Sequence, residues 1–340
     1  MAIVALDKHS VRTSPNDWQA LVKSAVRDPK TLRERLELPA EQGECVAHHE
    51  FATFVPLPYL DRIVKGDLND PLLLQVLPDQ SELDQVPGFS TDAVGDAQAS
   101  RTNGLIQKYK GRALLMTSRA CAIHCRYCFR RHFPYQTAPI SLQQFDQVLD
   151  VVRQDESLEE LILSGGDPLM MVDDKFQQLV EWITEIGHLR RFRIHSRLPV
   201  VIPQRVTTQL MQVLQRVPQS KWFVLHVNHA NEIDTLVEQA IVKLQQAGCN
   251  VLNQAVLLKN VNDNVDALVN LSKRLVDLGC MPYYLHQLDR VTGTAHFEVD
   301  PGTGVKLVES MRQYLPGYAI PEYVCEVAGA ASKLPIDAGQ

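Results

Sequence analysis

Cys121-Ala-Ile-His-Cys125-Arg-Tyr-Cys128 (CAIHCRYC, residues 121–128) follows closely on the apolar run ALLMT at 113–117. Gaps of three residues and then two bring three thiolates to one side of a tight loop after a strand. A [4Fe–4S] cluster that only carries electrons takes four protein ligands, so three leave one iron open. Something other than cysteine must bind there, which points to chemistry at the cluster rather than storage of charge. Zinc is the alternative, with His124 or His132 as a fourth ligand. The spacing fits a zinc ribbon poorly, because no second cysteine pair follows.

Outward from this loop, short apolar runs alternate with amphipathic stretches. Strands are expected at 113–117, 160–164, 193–196, 222–227, 251–257 and 282–287, and helices at 142–153, 174–186, 207–213, 233–247 and 265–278. Six such repeats predict parallel strands joined by crossover helices, with functional groups at the strands' carboxyl ends. The conspicuous motifs fall there: SGGD after the second strand, HSR after the third, HVNH after the fourth and LDR after the sixth. Upstream, 17–36 reads as helical, and 67–103 as a polar connector with little periodicity. Downstream, 315–340 is an arm punctuated by proline and glycine, with one more strand-like run at 321–327. The expected divisions are 1–103, an N-terminal helical region and connector; 104–300, the barrel core; and 301–340, a C-terminal arm.

Composition narrows the function classes. Apolar residues make up 45% and charged residues 22%, as in globular proteins, and the net charge of −6 gives no electrostatic reason to expect nucleic acid. No run approaches the roughly 18 apolar residues of a membrane span, and the start lacks a signal-peptide core, so a cytoplasmic protein is expected. Seven cysteines, with Cys45, Cys249, Cys280 and Cys325 scattered, argue against a disulfide framework. Those four are expected as small buried apolar groups. In Ser164-Gly165-Gly166-Asp167, two glycines at a strand end let a ligand approach the backbone and Asp167 adds an acceptor. HVNHANE (His226, Asn228, His229, Glu232) is expected to line the pocket or serve structure rather than hold a metal.

The cluster spacing after the first strand of a βα repeat resembles the radical S-adenosylmethionine superfamily. There the open iron is chelated by S-adenosylmethionine, and reduction of the cluster releases a 5′-deoxyadenosyl radical. The runs YKGRALLM, CRYCFRRHF, LILSGGDPL, HSRLPVVIPQR, HVNHANEI, LNQAVLLKNVND and PYYLHQLDRVTGTAHF together resemble the lysine 2,3-aminomutase family over roughly residues 50–337. The nearest resemblance is to its short bacterial branch, which acts in β-lysylation of elongation factor P.

This resemblance implies a partial (β/α)6 TIM-type barrel with an N-terminal helical region and a C-terminal arm that binds pyridoxal phosphate. It implies an isomerase converting L-lysine to (R)-β-lysine with a [4Fe–4S] cluster, S-adenosylmethionine and pyridoxal phosphate. Cys121, Cys125 and Cys128 would hold the cluster. Gly165, Gly166 and Asp167 would take the amino group of S-adenosylmethionine, with His195, Ser196, Arg197 and Gln254 as further contacts. Lys333 in AGAASKLPID would be the Schiff-base lysine, although Ala328, Ala330 and Ala331 stand where the family is richer in glycine. Arg112 and Tyr109 would hold the cofactor, with Arg112 on its phosphate.

The substrate's charges ask for a cation at one end and anions at the other. Arg130 matches the carboxylate-binding arginine, and Asp289 one of two acids on the distal ammonium. Glu326 falls at the second, where the fermenting members have aspartate. A cellular electron donor, a downstream elongation factor P lysylation ligase and a homo-oligomer, dimer or larger, are further implications. The competing readings are an aminomutase for another amino acid such as glutamate, and a non-enzymatic iron–sulfur electron carrier.

Overall fold

Two tight turns begin the sheet. Asn103-Gly104 and Lys110-Gly111 place their glycines at φ +89° and +74°, a region that suits two-residue hairpins and strains L side chains. They fold β1 (Ser100–Thr102), β2 (Leu105–Tyr109) and β3 (Arg112–Ser118) into an antiparallel meander. From β3 the pairing becomes parallel through β4 (Glu160–Gly165), β5 (Arg191–Ser196), β6 (Ser220–His226), β7 (Asn250–Val256), β8 (Met281–His286) and β9 (Glu322–Cys325). A short β10 (Leu334–Pro335) returns antiparallel on β9. Each strand neighbours the next in sequence, the topology of a partial barrel. The computed structural model describes residues 17–40 and 46–337, so Cys45 lies outside the described residues.

The described helices before the sheet are short: α1 (Trp18–Lys23), α2 (Pro29–Arg35), α3 (Val46–Glu50), α4 (Leu57–Leu60) and α5 (Pro71–Leu74). The crossovers carry α6 (Leu142–Gln154), α7 (Asp173–Thr184), α8 (Leu198–Val201), α9 (Thr208–Arg216), α10 (Thr235–Gln246) and α11 (Val265–Asp277), and α12 (Pro301–Met311) precedes β9. Helix α6 shows why they form. Ser141 and Gln144 build a reciprocal cap, and Phe145, Val148, Leu149 and Val152 recur at helical spacing to bury one face. Within β5 the alternation is complementary: Phe192 and Ile194 enter the core, while Arg193 and His195 line the barrel interior.

The single helix expected over 17–36 is two. Asp28 is extended and caps Pro29, the first residue of α2, because proline disfavours a helical predecessor. Between the helices Val26 bridges Val55. The connector is also less featureless than expected, since α5, a 3₁₀ turn at Gln80–Leu83 and β1 lie in it. The sheet continues past both expected boundaries of the core, through β1 on one side and β9 on the other. Cys249 and Cys280 are buried as expected, whereas Cys325 on β9 is half-buried. Among the described residues no helix is long and apolar enough to cross a membrane.

Candidate active site

The strand ends open into one cavity of about 300 Å³, and every residue assigned by resemblance to the cluster, a cofactor or the substrate lines it, as does His226, whereas Asn228, His229 and Glu232 do not. Cys121, Cys125 and Cys128 occupy one end. Burial, then the neighbouring cysteine, pushes the Cys128 thiol up to about 11, and Cys121 is raised well above its usual value for similar reasons. Thiols so placed ionise when a cationic centre takes up their charge, so the donor set fits an iron–sulfur cluster. The histidines that a zinc site would need are turned elsewhere. His124 Nδ1 lies 2.7 Å from the Ala52 carbonyl, with its ring stacked on Phe51, and His132 Nε2 lies 3.0 Å from the Thr292 carbonyl.

The cluster loop is held from both sides. Glu82 accepts from Arg126 Nε at 2.8 Å and from Arg131 Nη2 at 2.7 Å, while Arg126 Nη1 donates to the Phe51 carbonyl. On the other side, a Cβ on Gly166 would stand 2.3 Å from the Ala120 carbonyl oxygen. Gly165 sits at φ +118°, with its own missing Cβ 3.0 Å from the Ser118 carbonyl. The two glycines therefore admit the backbone of the cluster loop's approach, where the sequence suggested room for a ligand. Asp167 accepts from Leu169 N (3.0 Å), Ser196 Oγ (2.8 Å), Arg197 N (2.9 Å) and Leu198 N (3.0 Å). Its carboxylate thus ties the end of β4 to that of β5. Burial nevertheless raises its pKa.

Arg197 turns its guanidinium toward the cysteines. Nη1 lies 2.6 Å from both Cys125 Sγ and Tyr127 Oη, and Nη2 donates to Gln75 Oε1 (2.7 Å) and Glu232 Oε2 (2.8 Å). Glu232 also accepts the backbone amides of Asn228 and His229. HVNHANE is thus a structural support for this arginine, and its His226 meets the Tyr127 hydroxyl at 3.1 Å. His195 Nε2 is buried and has no hydrogen-bond partner among the described residues, and burial holds this imidazole neutral, well below its usual pKa. Gln254 stands opposite His226 in the β6–β7 register.

From Arg130, two residues after Cys128, a chain of alternating charges runs along the cavity wall. Arg130 Nε donates to Asp96 Oδ2 (2.6 Å), Lys108 Nζ reaches Asp96 Oδ1 (2.7 Å) and Glu326 Oε1 (2.6 Å), and Lys333 Nζ meets Glu326 Oε2. Burial opposes ionisation of Glu326, but Lys333 and Lys108 prevail and hold its carboxyl below the usual range. Asp289 is different. Burial and the charge of Glu326 push it up to about 7, and among the described residues its carboxylate takes no hydrogen bond. Lys333 and Lys108 favour its charge but do not outweigh burial.

Among the described residues only Nε of the Arg130 side chain is engaged in hydrogen bonding, which leaves both terminal nitrogens for a carboxylate. Arg112 packs over the Tyr109 ring at 4.6 Å and has no carboxylate partner among the described residues, a cation suited to a phosphate. A loop lysine, an unpaired arginine and an aromatic ring on one cavity wall fit pyridoxal phosphate.

Sequence reasoning missed Asp96, Lys108, Gln75 and Glu82. Lys108 carried a faint signal, since it stands two positions from Ile106 on the same face of β2, and both line the cavity. The others lie in the connector, where no periodicity marks them.

The Radical SAM superfamily model matches residues 115–271. The chain is 43% identical over 327 residues to the L-lysine 2,3-aminomutase of Escherichia coli, covering 95% of each chain. It is 40% identical to the Haemophilus influenzae L-lysine 2,3-aminomutase over 330 residues, covering 96% of this chain and 98% of that one. To the Clostridium subterminale L-lysine 2,3-aminomutase it is 32% identical over 324 residues, covering 94% of this chain and 78% of that one.

Proposed function

The chain belongs to the lysine 2,3-aminomutase family of radical S-adenosylmethionine enzymes, and from that premise we propose how its residues divide the work. It is an isomerase that moves the amino group of L-lysine from carbon 2 to carbon 3, using a [4Fe–4S] cluster and S-adenosylmethionine. Pyridoxal phosphate is the third cofactor in this reading. The cluster with S-adenosylmethionine supplies a hydrogen-abstracting radical, and pyridoxal phosphate supplies a covalent hold on the migrating nitrogen.

Cys121, Cys125 and Cys128 hold the cluster. Gly165, Gly166 and Asp167, with Ser196, shape the adjoining floor for S-adenosylmethionine, and His195 and Gln254 offer it polar contacts. Lys333 carries pyridoxal phosphate, with Arg112 on the phosphate and Tyr109 beside the ring. Arg130 clamps the substrate carboxylate through its terminal nitrogens, while Asp289, helped by Glu326, takes the distal ammonium. Holding lysine at both charged ends fixes its β-carbon with respect to the cluster end, a gain in proximity as much as in affinity. The product is (R)-β-lysine, supplied to a ligase that modifies elongation factor P. A cellular reductant feeds the cluster, and the enzyme works as a homo-oligomer.

The observation that supports this most is the meeting in one cavity of three cysteines with Lys333, Arg130 and the buried acid Asp289. The test is an anaerobic reaction of the reconstituted protein with dithionite, S-adenosylmethionine, pyridoxal phosphate and labelled L-lysine, with products read by chiral mass spectrometry. β-Lysine should form, and should vanish with Cys125→Ala. Lys333→Ala should lose the visible absorbance of bound pyridoxal phosphate. S-adenosylmethionine cleavage with lysine unchanged would refute the substrate, and retained absorbance in the Lys333 variant would move the cofactor elsewhere.

A further inference from the structure

We propose that Arg197 and Glu232 form a buried charge pair that sets the reduction potential of the cluster through Cys125. The inference rests on the reading of Cys121, Cys125 and Cys128 as cluster ligands and deepens it. Resemblance places Arg197 among the contacts of S-adenosylmethionine, but its two terminal nitrogens are committed elsewhere, and among the described residues only its Nε lacks a partner. Both terminal nitrogens are engaged, one on Cys125 Sγ and Tyr127 Oη, the other on Gln75 and Glu232. The guanidinium also lies between two rings, 5.6 Å from the centroids of Tyr59 and Tyr127. Glu232 is wholly buried and Arg197 nearly so, so neither charge is screened by water.

Reduction adds one electron to the cluster. A cation that donates a hydrogen bond to a ligand sulfur stabilises the reduced form more than the oxidised one. Cluster potentials respond to net charge, to hydrogen bonds on sulfur and to solvent exposure. The Arg197 contact supplies the first two, and its enclosure removes the third. Glu232 works in the opposite direction, since its carboxylate offsets the positive charge and keeps the cluster harder to reduce. Arg197 is thus a positioning and tuning residue acting through Cys125. Gln75 and Tyr127, which bracket the guanidinium, keep its donors aimed.

The experiment is an EPR-monitored redox titration of the reconstituted, anaerobic full-length protein without S-adenosylmethionine, beside the Arg197→Gln and Glu232→Gln variants, with iron and sulfide measured in each. Arg197→Gln should lower the reduced-to-oxidised ratio at the parent midpoint at least tenfold, a downward shift of about 59 mV for a one-electron couple. Glu232→Gln should move the midpoint upward. A purely structural role would not reverse sign between the two. Unchanged midpoints, or shifts in the same direction, overturn the proposal. So does an Arg197 variant that binds S-adenosylmethionine more weakly while its midpoint stays in place, because that is the signature of a direct contact. Should Arg197→Gln fail to load a cluster, Glu232→Gln decides alone, and a midpoint that does not rise overturns the proposal. A parent protein that takes up no cluster refutes the ligand reading and this inference together, whereas a loaded parent with unmoved variants refutes only the inference.

Discussion

Replacing Asp289 by Asn tests the substrate assignment most directly. The cavity lifts this acid from its ordinary 3.8 to about 7, roughly three units, or about 4 kcal/mol against the bare charge. A substrate ammonium relieves part of that cost. A hydrogen bond to a charged group contributes about 1.5–3 kcal/mol, so the Asn variant should lose roughly 10- to 150-fold in kcat/KM for lysine at pH 8. The pH dependence carries the sharper signature. Below about 7 the parent's Asp289 is protonated and uncharged, so kcat/KM should climb about tenfold per pH unit toward 7 and level off above it. The variant should lack that limb.

Stability should move the other way. An acid raised by folding costs stability as pH rises from 3.8 to about 7, and the cost is complete above that. Asp289→Asn should therefore raise the Tm at pH 8 and leave it unchanged near pH 3.5. Steady-state rates across pH 5.5–8.5 with labelled lysine, and thermal unfolding at the two pH values, provide both readouts. A variant that keeps its kcat/KM for lysine and the same acid limb would refute the assignment and favour a substrate without a distal cation.

Gly166→Ala should push the cluster loop off β4, since the new Cβ stands 2.3 Å from a backbone oxygen; a loss of about 1–3 kcal/mol and lowered iron content are expected, read by urea unfolding and metal analysis. Glu82→Ala leaves Arg126 and Arg131 buried without their shared carboxylate and should cost roughly 3–5 kcal/mol in chemical denaturation. Arg130→Lys keeps the charge but loses the planar fork, so kcat/KM for lysine should fall while the absorbance of bound pyridoxal phosphate is retained.

What the sequence disclosed was what is local. The cysteine loop, SGGD and the six core strands can be read because their residues act within a few positions of one another. The β1–β2 hairpin was readable in principle from Asn103-Gly104, but the polar SRT and QK residues of its strands mask the alternation. Asp96 and Glu82 carry no local mark, since their partners lie on remote segments: Arg126 is 44 positions from Glu82, and Arg130 is 34 from Asp96. The Gly166 case is subtler. The motif was visible, but which backbone comes close to it is a property of the fold.

Strands β3 to β8 each pair with the next in sequence, so their contacts form cheaply as the sheet grows. The wall facing the cysteines is built differently: Lys108 meets Glu326 across 218 positions, Ser90 bridges Val291, and Gly95 packs on Ala328. Such distant joins carry the largest loop-closure entropy. The cysteine loop shares in them, since Arg131 donates to the Gly293 carbonyl across 162 positions and His132 meets the Thr292 carbonyl across 160, so the loop and the chamber around it are completed by the same long-range closures. A substitution in the remote arm that carries Glu326 and Ala328 would therefore be felt at the wall around the cysteines, without touching them.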